Sequence, residues 1–296
     1  MFELRRICFA FALCVLSCPG PLVATVVSSD LAAARALFDN RQLAEAQAEF
    51  EKIAAAHPSD ATTNYYLGEL ALRRDEPGPA ANFFEKAVAG EPGNSRYLRR
   101  LGDAFGRHAQ TGPLFSRLGL AKKCLASYQR AVAANAADVD AHNSLFDYYL
   151  QAPGFAGGST EKAIAEATTI KRLDPARGRI VFATLYVAEK QYDRALAEFE
   201  EVLRTNPDDF AALYQLGRLA ALTGRFVDRG IVTLRRCLEL PAPYTVDGPG
   251  HSAARWRLGA LLEKKGDVEG ARAAYAAAIK IDPMLTAAAD ALRKLK

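Results

Sequence analysis

The sequence has little of what chemistry on a substrate requires. It holds four histidines in 296 residues, and no two stand at a metal-ligand spacing such as His-x-x-x-His. His57 precedes Pro58, His142 falls in an apolar helical pattern, and His108 and His251 fall in Gly- and Pro-containing stretches. A Ser-His-Asp or Cys-His arrangement would have to join distant segments, so no catalytic residue, metal or cofactor is assigned and the chain is not read as an enzyme. Large side chains are scarce too, with one Trp, two Met and 9% aromatics against 50% hydrophobic residues. Alanine makes up the difference. It favours helix and carries little volume, which predicts an all-α fold of thin, closely packed layers rather than one deep core. Alternating β-branched and aromatic runs are absent, and so are strand signals. The formal charge of +4, from 38 Lys+Arg and 34 Asp+Glu, comes without a basic block. Nucleic acid is therefore not an implied partner.

Long hydrophobic runs are missing as well. Residues 7–18 form a run of twelve with only Ser17 polar, short of the ~20 residues a membrane-spanning helix needs. Arg5 and Arg6 precede it and Pro19-Gly20-Pro21 breaks it, the pattern of a secretory signal peptide over residues 1–24. Leu22-Val23-Ala24 offers the cleavage site, with a mature start at Thr25. Val15-Leu16-Ser17-Cys18 also resembles a degenerate lipoprotein box, in which Cys18 would be acylated and Leu16 is an unusual occupant. The first reading predicts a periplasmic or secreted bacterial protein, and the second a membrane lipoprotein without a membrane span. Loss of Glu3, Arg5 and Arg6 takes the formal charge from +4 to +3. Of five cysteines only Cys124 and Cys237 then remain.

What the chain does have is a period. Pro58 and Pro92 stand 34 residues apart, as do Pro207 and Pro241, each after an apolar helical pattern. In that register small residues recur at the eighth column as Ala34, Gly68, Gly102, Ala183, Gly217 and Gly259. They recur at the twentieth as Ala46, Ala80, Ala163, Ala195 and Ala271, and aromatics occupy the twenty-fourth as Phe50, Phe84, Tyr128, Phe199 and Tyr275. Small columns are expected where two helices cross, the aromatic is expected to fill space toward the next unit, and the proline ends the second helix.

These columns resemble the tetratricopeptide repeat over nearly all of the chain. The resemblance implies a right-handed superhelical solenoid of helix pairs. Seven units are read, at 27–60, 61–94, 95–138, 139–175, 176–209, 210–251 and 252–285, with a capping helix at 286–296. Cys124 falls in a small column and Cys237 near another, which predicts two buried free thiols. Gly106-Arg107-His108-Ala109-Gln110, Ala121-Lys122-Lys123, Ala152-Pro153-Gly154 and Leu262-Glu263-Lys264-Lys265-Gly266-Asp267 further resemble a group of bacterial secreted tetratricopeptide proteins that carries no known activity with it.

Three segments interrupt the period: Gly106 to Ala121, Leu150 to Thr160, and Leu240 to Ser252. They are expected as inserted loops that bring Phe115, Phe155 and Tyr244 to the edges of the solenoid. In the family the first helix of each unit lines a concave groove. The matching columns give Tyr65, Tyr66, Glu69, Arg96, Arg99, Arg100, Asp103, Asn143, Asp147, Tyr214, Arg218 and Trp256 as groove residues. Rings beside Arg and Asn suit an extended peptide, whose carbonyls and carboxylates they can bind. The family's carboxylate clamp for acidic tails is matched only by Arg96 and Arg100, so that clamp is not expected. The reading is a non-catalytic protein- or peptide-binding scaffold of the bacterial cell envelope. Two alternatives stand beside it: a lipid-anchored outer-membrane assembly factor, and a small-molecule or glycan binder that uses the loops.

Overall fold

A computed structural model describes residues 21–241 and 250–295 of the chain, with side chains from Ser29 onward. Among these residues every regular element is helical. The helices pair in succession: α1 (Pro21–Asp39) with α2 (Leu43–Ala56), α3 (Ala61–Arg73) with α4 (Pro77–Gly90), α5 (Ser95–Thr111) with α6 (Leu114–Ala134), and α7 (Val139–Gln151) with α8 (Thr160–Leu173). The series continues with α9 (Pro175–Ala188) and α10 (Tyr192–Thr205), α11 (Phe210–Thr223) and α12 (Val227–Glu239), and α13 (His251–Lys264) and α14 (Val268–Ile281). A last helix, α15 (Thr286–Lys294), packs on α14 and ends in Arg293 and Lys294, cations that suit a helix C-terminus.

Three pairs close by the same steric logic. A Cβ at Gly68 would lie 2.7 Å from the Phe84 ring, one at Gly102 2.4 Å from Tyr128, and one at Gly259 2.6 Å from Tyr275. The missing side chain is the seat of the ring. The aromatic covers the glycine of its own pair and also reaches the next unit, as the sequence pattern suggests: Phe50 stacks on Tyr66 at 4.9 Å, and the Arg100 guanidinium lies 5.9 Å from the Phe84 ring centroid. In α11 and α12 the partner of Gly217 is Leu234, at 2.3 Å from the same ideal position. The pair α7 and α8 exchanges the sizes: Phe146 stands at the small position, Ala167 at the aromatic one, and both are buried. Total volume is kept while its source moves from one helix to the other.

Helix starts are as regular as the crossings. Asp60, Asn94, Asp138, Asp174 and Asp209 cap α3, α5, α7, α9 and α11, each accepting a backbone N–H three residues on at 2.7 to 3.2 Å. The buried side chains form three clusters that overlap on α9 and α11, so the core runs as a thin strip along the array. Cys124 and Cys237 are buried and unbridged.

The stretch from Gly106 to Ala121 is not a loop. α5 and α6 run 17 and 21 residues, against 13 or 14 in α2 to α4 and α7 to α14. Only Gly112 and Pro113 separate them. The seven extra residues of α6 are close to two turns at 3.6 residues per turn, so the inner face keeps its register. Phe115 thus lies in the first turn of α6, and His108 on α5. The second interruption is a true loop with a short 3-10 turn, Gly154–Ala156. Tyr244 and Cys18 lie outside the described residues, as does most of the expected signal peptide.

Candidate functional site

The first helices of successive pairs, α3, α5, α7, α9 and α11, line one groove of about 1190 Å³. Seven arginines and four carboxylates face it: Arg73, Arg96, Arg99, Arg100, Arg107, Arg177 and Arg218 with Glu69, Asp103, Asp140 and Asp147. The imbalance gives the wall a cationic character.

Not every arginine is available to a ligand. Arg100 is 4% exposed. Its Nε donates to Glu69 Oε1 at 2.5 Å, its Nη2 to Glu69 Oε2 at 3.0 Å and its Nη1 to Asp103 Oδ2 at 2.7 Å. Asp103 also accepts from the Tyr128 hydroxyl at 2.7 Å and from Arg99 at 3.4 Å. Burial and the adjacent Asp103 hold the Tyr128 phenol well above its ordinary pKa, so it stays a donor. This network ties α3 to α5 and α6. Arg100 is a structural cation in it, and Glu69, Tyr65 and Tyr66 are equally buried.

Two other guanidinium groups face the groove without a carboxylate within 4.0 Å among the described residues. Arg96 is exposed and sits 4.6 Å over the Tyr65 ring, which stacks on Tyr97 at 5.0 Å. Arg218 donates only to Gln215, at 3.1 Å. Between them Asn143 donates to Asp147 at 2.9 Å, and burial pushes the Asp147 carboxyl up to about 6 against the opposing pull of Arg177 and Arg218. Arg177 itself pairs with Asp140 at 3.1 Å. Cys124 is part of the wall, but burial pushes its thiol up to about 12, so it is protonated and unreactive at neutral pH.

Of the residues expected in the groove, all but two line it. Tyr214 is buried in the core between α11 and α13, and Trp256 lies under the Arg257 guanidinium at 3.8 Å. Asp140 and Arg177 line it unforeseen. Both occupy the second column of their units, the same column as Arg96, so the register already contained them. His142 bonds Glu166 at 2.6 Å and the Ala136 carbonyl at 3.1 Å, and His251 bonds the Leu240 carbonyl at 2.8 Å. These contacts hold helices together. Among the described residues there is no cluster of potential metal ligands and no helix long and apolar enough to cross a membrane.

The tetratricopeptide repeat family model matches residues 31–95, 180–228 and 242–284, more than half of the chain. The chain belongs to the tetratricopeptide repeat family. The long stretch the family model passes over, 96–179, is where the repeat is altered by the lengthened α5 and α6 and by the 3-10 loop. Among solved structures, a tetratricopeptide repeat protein from Parabacteroides merdae is similar with a TM-score of 0.63 at 15% identity, covering 90% of this chain and 97% of that one. A thermophilic repeat protein of Thermus thermophilus reaches a TM-score of 0.54 at 20% identity over 65% of this chain and 98% of that one. The Cut9–Hcn1 hetero-tetramer of the APC/C gives 0.55 at 14% identity over 88% of this chain and 48% of that one. These likenesses carry the helix-pair solenoid and no more. No curated protein matches the chain.

Proposed function

We propose that this repeat protein is a non-catalytic scaffold of the bacterial cell envelope that holds an extended, acidic segment of a partner protein in its groove. One observation carries the reading: the groove presents Arg96 and Arg218 with no carboxylate within 4.0 Å among the described residues, and the Arg96 guanidinium is held at the wall 4.6 Å over the Tyr65 ring. A guanidinium of this kind can take a carboxylate in a bidentate contact, and Asn143 can serve a backbone carbonyl. The binding role is the family's usual one, while the acidic partner follows from these side chains. The envelope address rests on residues 1–24 and their signal-peptide pattern.

Selection of a random peptide library on the immobilised chain tests the groove. Enriched peptides should be rich in Asp and Glu, and Arg96→Glu with Arg218→Glu should lower their affinity by at least tenfold with helicity unchanged. Enrichment of neutral or basic peptides, or indifference to the two substitutions, would overturn the reading. For the address, expression in a bacterium should yield the chain in the envelope fraction, without residues 1–24 or with an acylated Cys18. An intact chain in the cytoplasm would end that part.

A further inference from the structure

We propose that the free end of the α5–α6 hairpin docks on an anionic lipid surface, a second binding face separate from the groove. The end is bare and apolar. Leu114, Phe115 and Leu118 are 80%, 90% and 41% exposed. Residues four apart share a helix face, so Leu114, Leu118 and Lys122 form one stripe with Phe115 beside it. The stripe stops where the protein covers it. Farther along α6 the Tyr148 hydroxyl lies 3.0 Å from the Ala121 carbonyl and 2.7 Å from that of Ala156. There too Gly157, at φ +98, brings its backbone to Leu125 so closely that a Cβ would stand 2.9 Å from the leucine methyl. Covered and bare segments of one helix face are thus sharply divided.

Charge decides what the bare segment meets. From residue 104 to residue 137 the chain has no carboxylate; Arg117 and Lys122 are the cations nearest the free end, while Arg107 belongs to the groove wall. In the neighbouring α3–α4 turn Glu76 is paired with Arg74 at 2.8 Å, and Asp75 is the other carboxylate of that turn. Protein interfaces surround an apolar centre with a polar rim. Here the charges nearest the bare end on α6, Arg117 and Lys122, are both positive, the pattern of a segment that seats apolar side chains among acyl chains and places cations at phosphate level. Lys122 is exposed and can lay its stem along Leu118 while its ammonium reaches a headgroup. The lengthening of α6 by seven residues over a 14-residue helix adds about 10 Å at a rise of 1.5 Å per residue. Its consequence is to bring these side chains clear of the rest of the array. Three apolar side chains and a few cations give reversible attachment rather than anchoring.

The full chain carrying Phe115→Trp reports on this end directly. Its added emission should shift to the blue on vesicles of equal parts phosphatidylglycerol and phosphatidylcholine, and stay unshifted on phosphatidylcholine alone. The parent chain, with Trp256 only, supplies the baseline. In co-sedimentation with the anionic vesicles, Lys122→Glu should lower the partition coefficient by roughly thirtyfold, Phe115→Asp by at least tenfold, and Lys122→Arg should leave it unchanged. Circular dichroism confirms that each variant keeps its helices. No shift on anionic vesicles overturns the proposal, as does equal partition on both lipids. Unchanged partition of Phe115→Asp would assign any attachment to another part of the chain, and a shift seen only with added protein would assign the face to a protein partner. Both results refute the lipid surface.

Discussion

Replacing Glu69 by Ala leaves the Arg100 guanidinium buried with half of its charge partners gone. In the parent chain the two side chains are 6% and 5% exposed and make two parallel hydrogen bonds at 2.5 and 3.0 Å. Breaking a buried pair from one side costs about 3 to 5 kcal/mol. Asp103 still contacts Arg100 at 2.7 Å, so the low end, about 3 kcal/mol, is expected. In a repeat array each unit touches only its neighbours, and the loss should be local rather than global. Hydrogen exchange read by mass spectrometry is the matching assay. Peptides from α3 and α5 should exchange roughly 150-fold faster, since each 1.36 kcal/mol is a factor of ten, while peptides from α13 and α14 should be unchanged. Replacing both partners, Glu69→Met with Arg100→Met, removes the uncompensated charge and should bring α3 and α5 back to within about tenfold of the parent. Unchanged protection in Glu69→Ala, or a double variant as labile as the single one, would refute the assignment of Arg100 to structure rather than to ligand binding.

Two further outcomes follow from the same packing. Gly68→Ala places a methyl 2.7 to 2.9 Å from three atoms of the fully buried Phe84 ring. It should lower stability by about 1 to 3 kcal/mol, with part of the loss regained by Phe84→Leu, as urea unfolding followed at the helix band will check. Asp147 is protonated in the fold up to about pH 6, against an ordinary value of 3.8. The folded chain therefore holds a proton that the unfolded chain releases, and stability falls as pH rises from about 4 to about 6. Asp147→Asn should melt above the parent at pH 7.5 and with it at pH 3.5, and equal differences at both would show that the carboxylate is not the cause.

The parts of the molecule legible in the sequence are those that every pair repeats. Gly68, Gly102 and Gly259 announce a close helix crossing because any side chain there would collide with a ring. The full seating of that ring is a different matter. A column of aromatics says that space toward the next unit is filled, and Phe50 does stack on Tyr66 there; it does not say that Phe84 also sits on Gly68 of its own pair. The interruption from Gly106 to Ala121 reads as a loop because Gly and Pro suggest one, yet Ala, Leu and Lys around them favour helix and Gly112-Pro113 makes the sole break. Groove membership followed from the register for Arg96 and Arg218. The distinction between them and Arg100 did not, because it depends on which carboxylate comes within 3 Å of each guanidinium across 31 residues of chain. The caps are legible in the same way: Pro58-Ser59-Asp60, Pro92-Gly93-Asn94 and Pro207-Asp208-Asp209 each end on the residue that caps the next helix.

The exchange of Phe146 and Ala167 has a consequence for how the chain avoids assembling wrongly. Units built on one template can in principle pair with the wrong neighbour as they leave the ribosome, a characteristic failure of repeat proteins. In five of the other pairs the ring, from Phe50, Phe84, Tyr128, Phe199 or Tyr275, sits on the second helix. If α7 met the second helix of another pair, two rings would claim one space, and if α8 met a foreign first helix carrying glycine, the space would stand empty. Either mismatch costs a few kcal/mol. The reversed sizes in α7 and α8 thus favour their own pairing over a pairing with a helix of the common type.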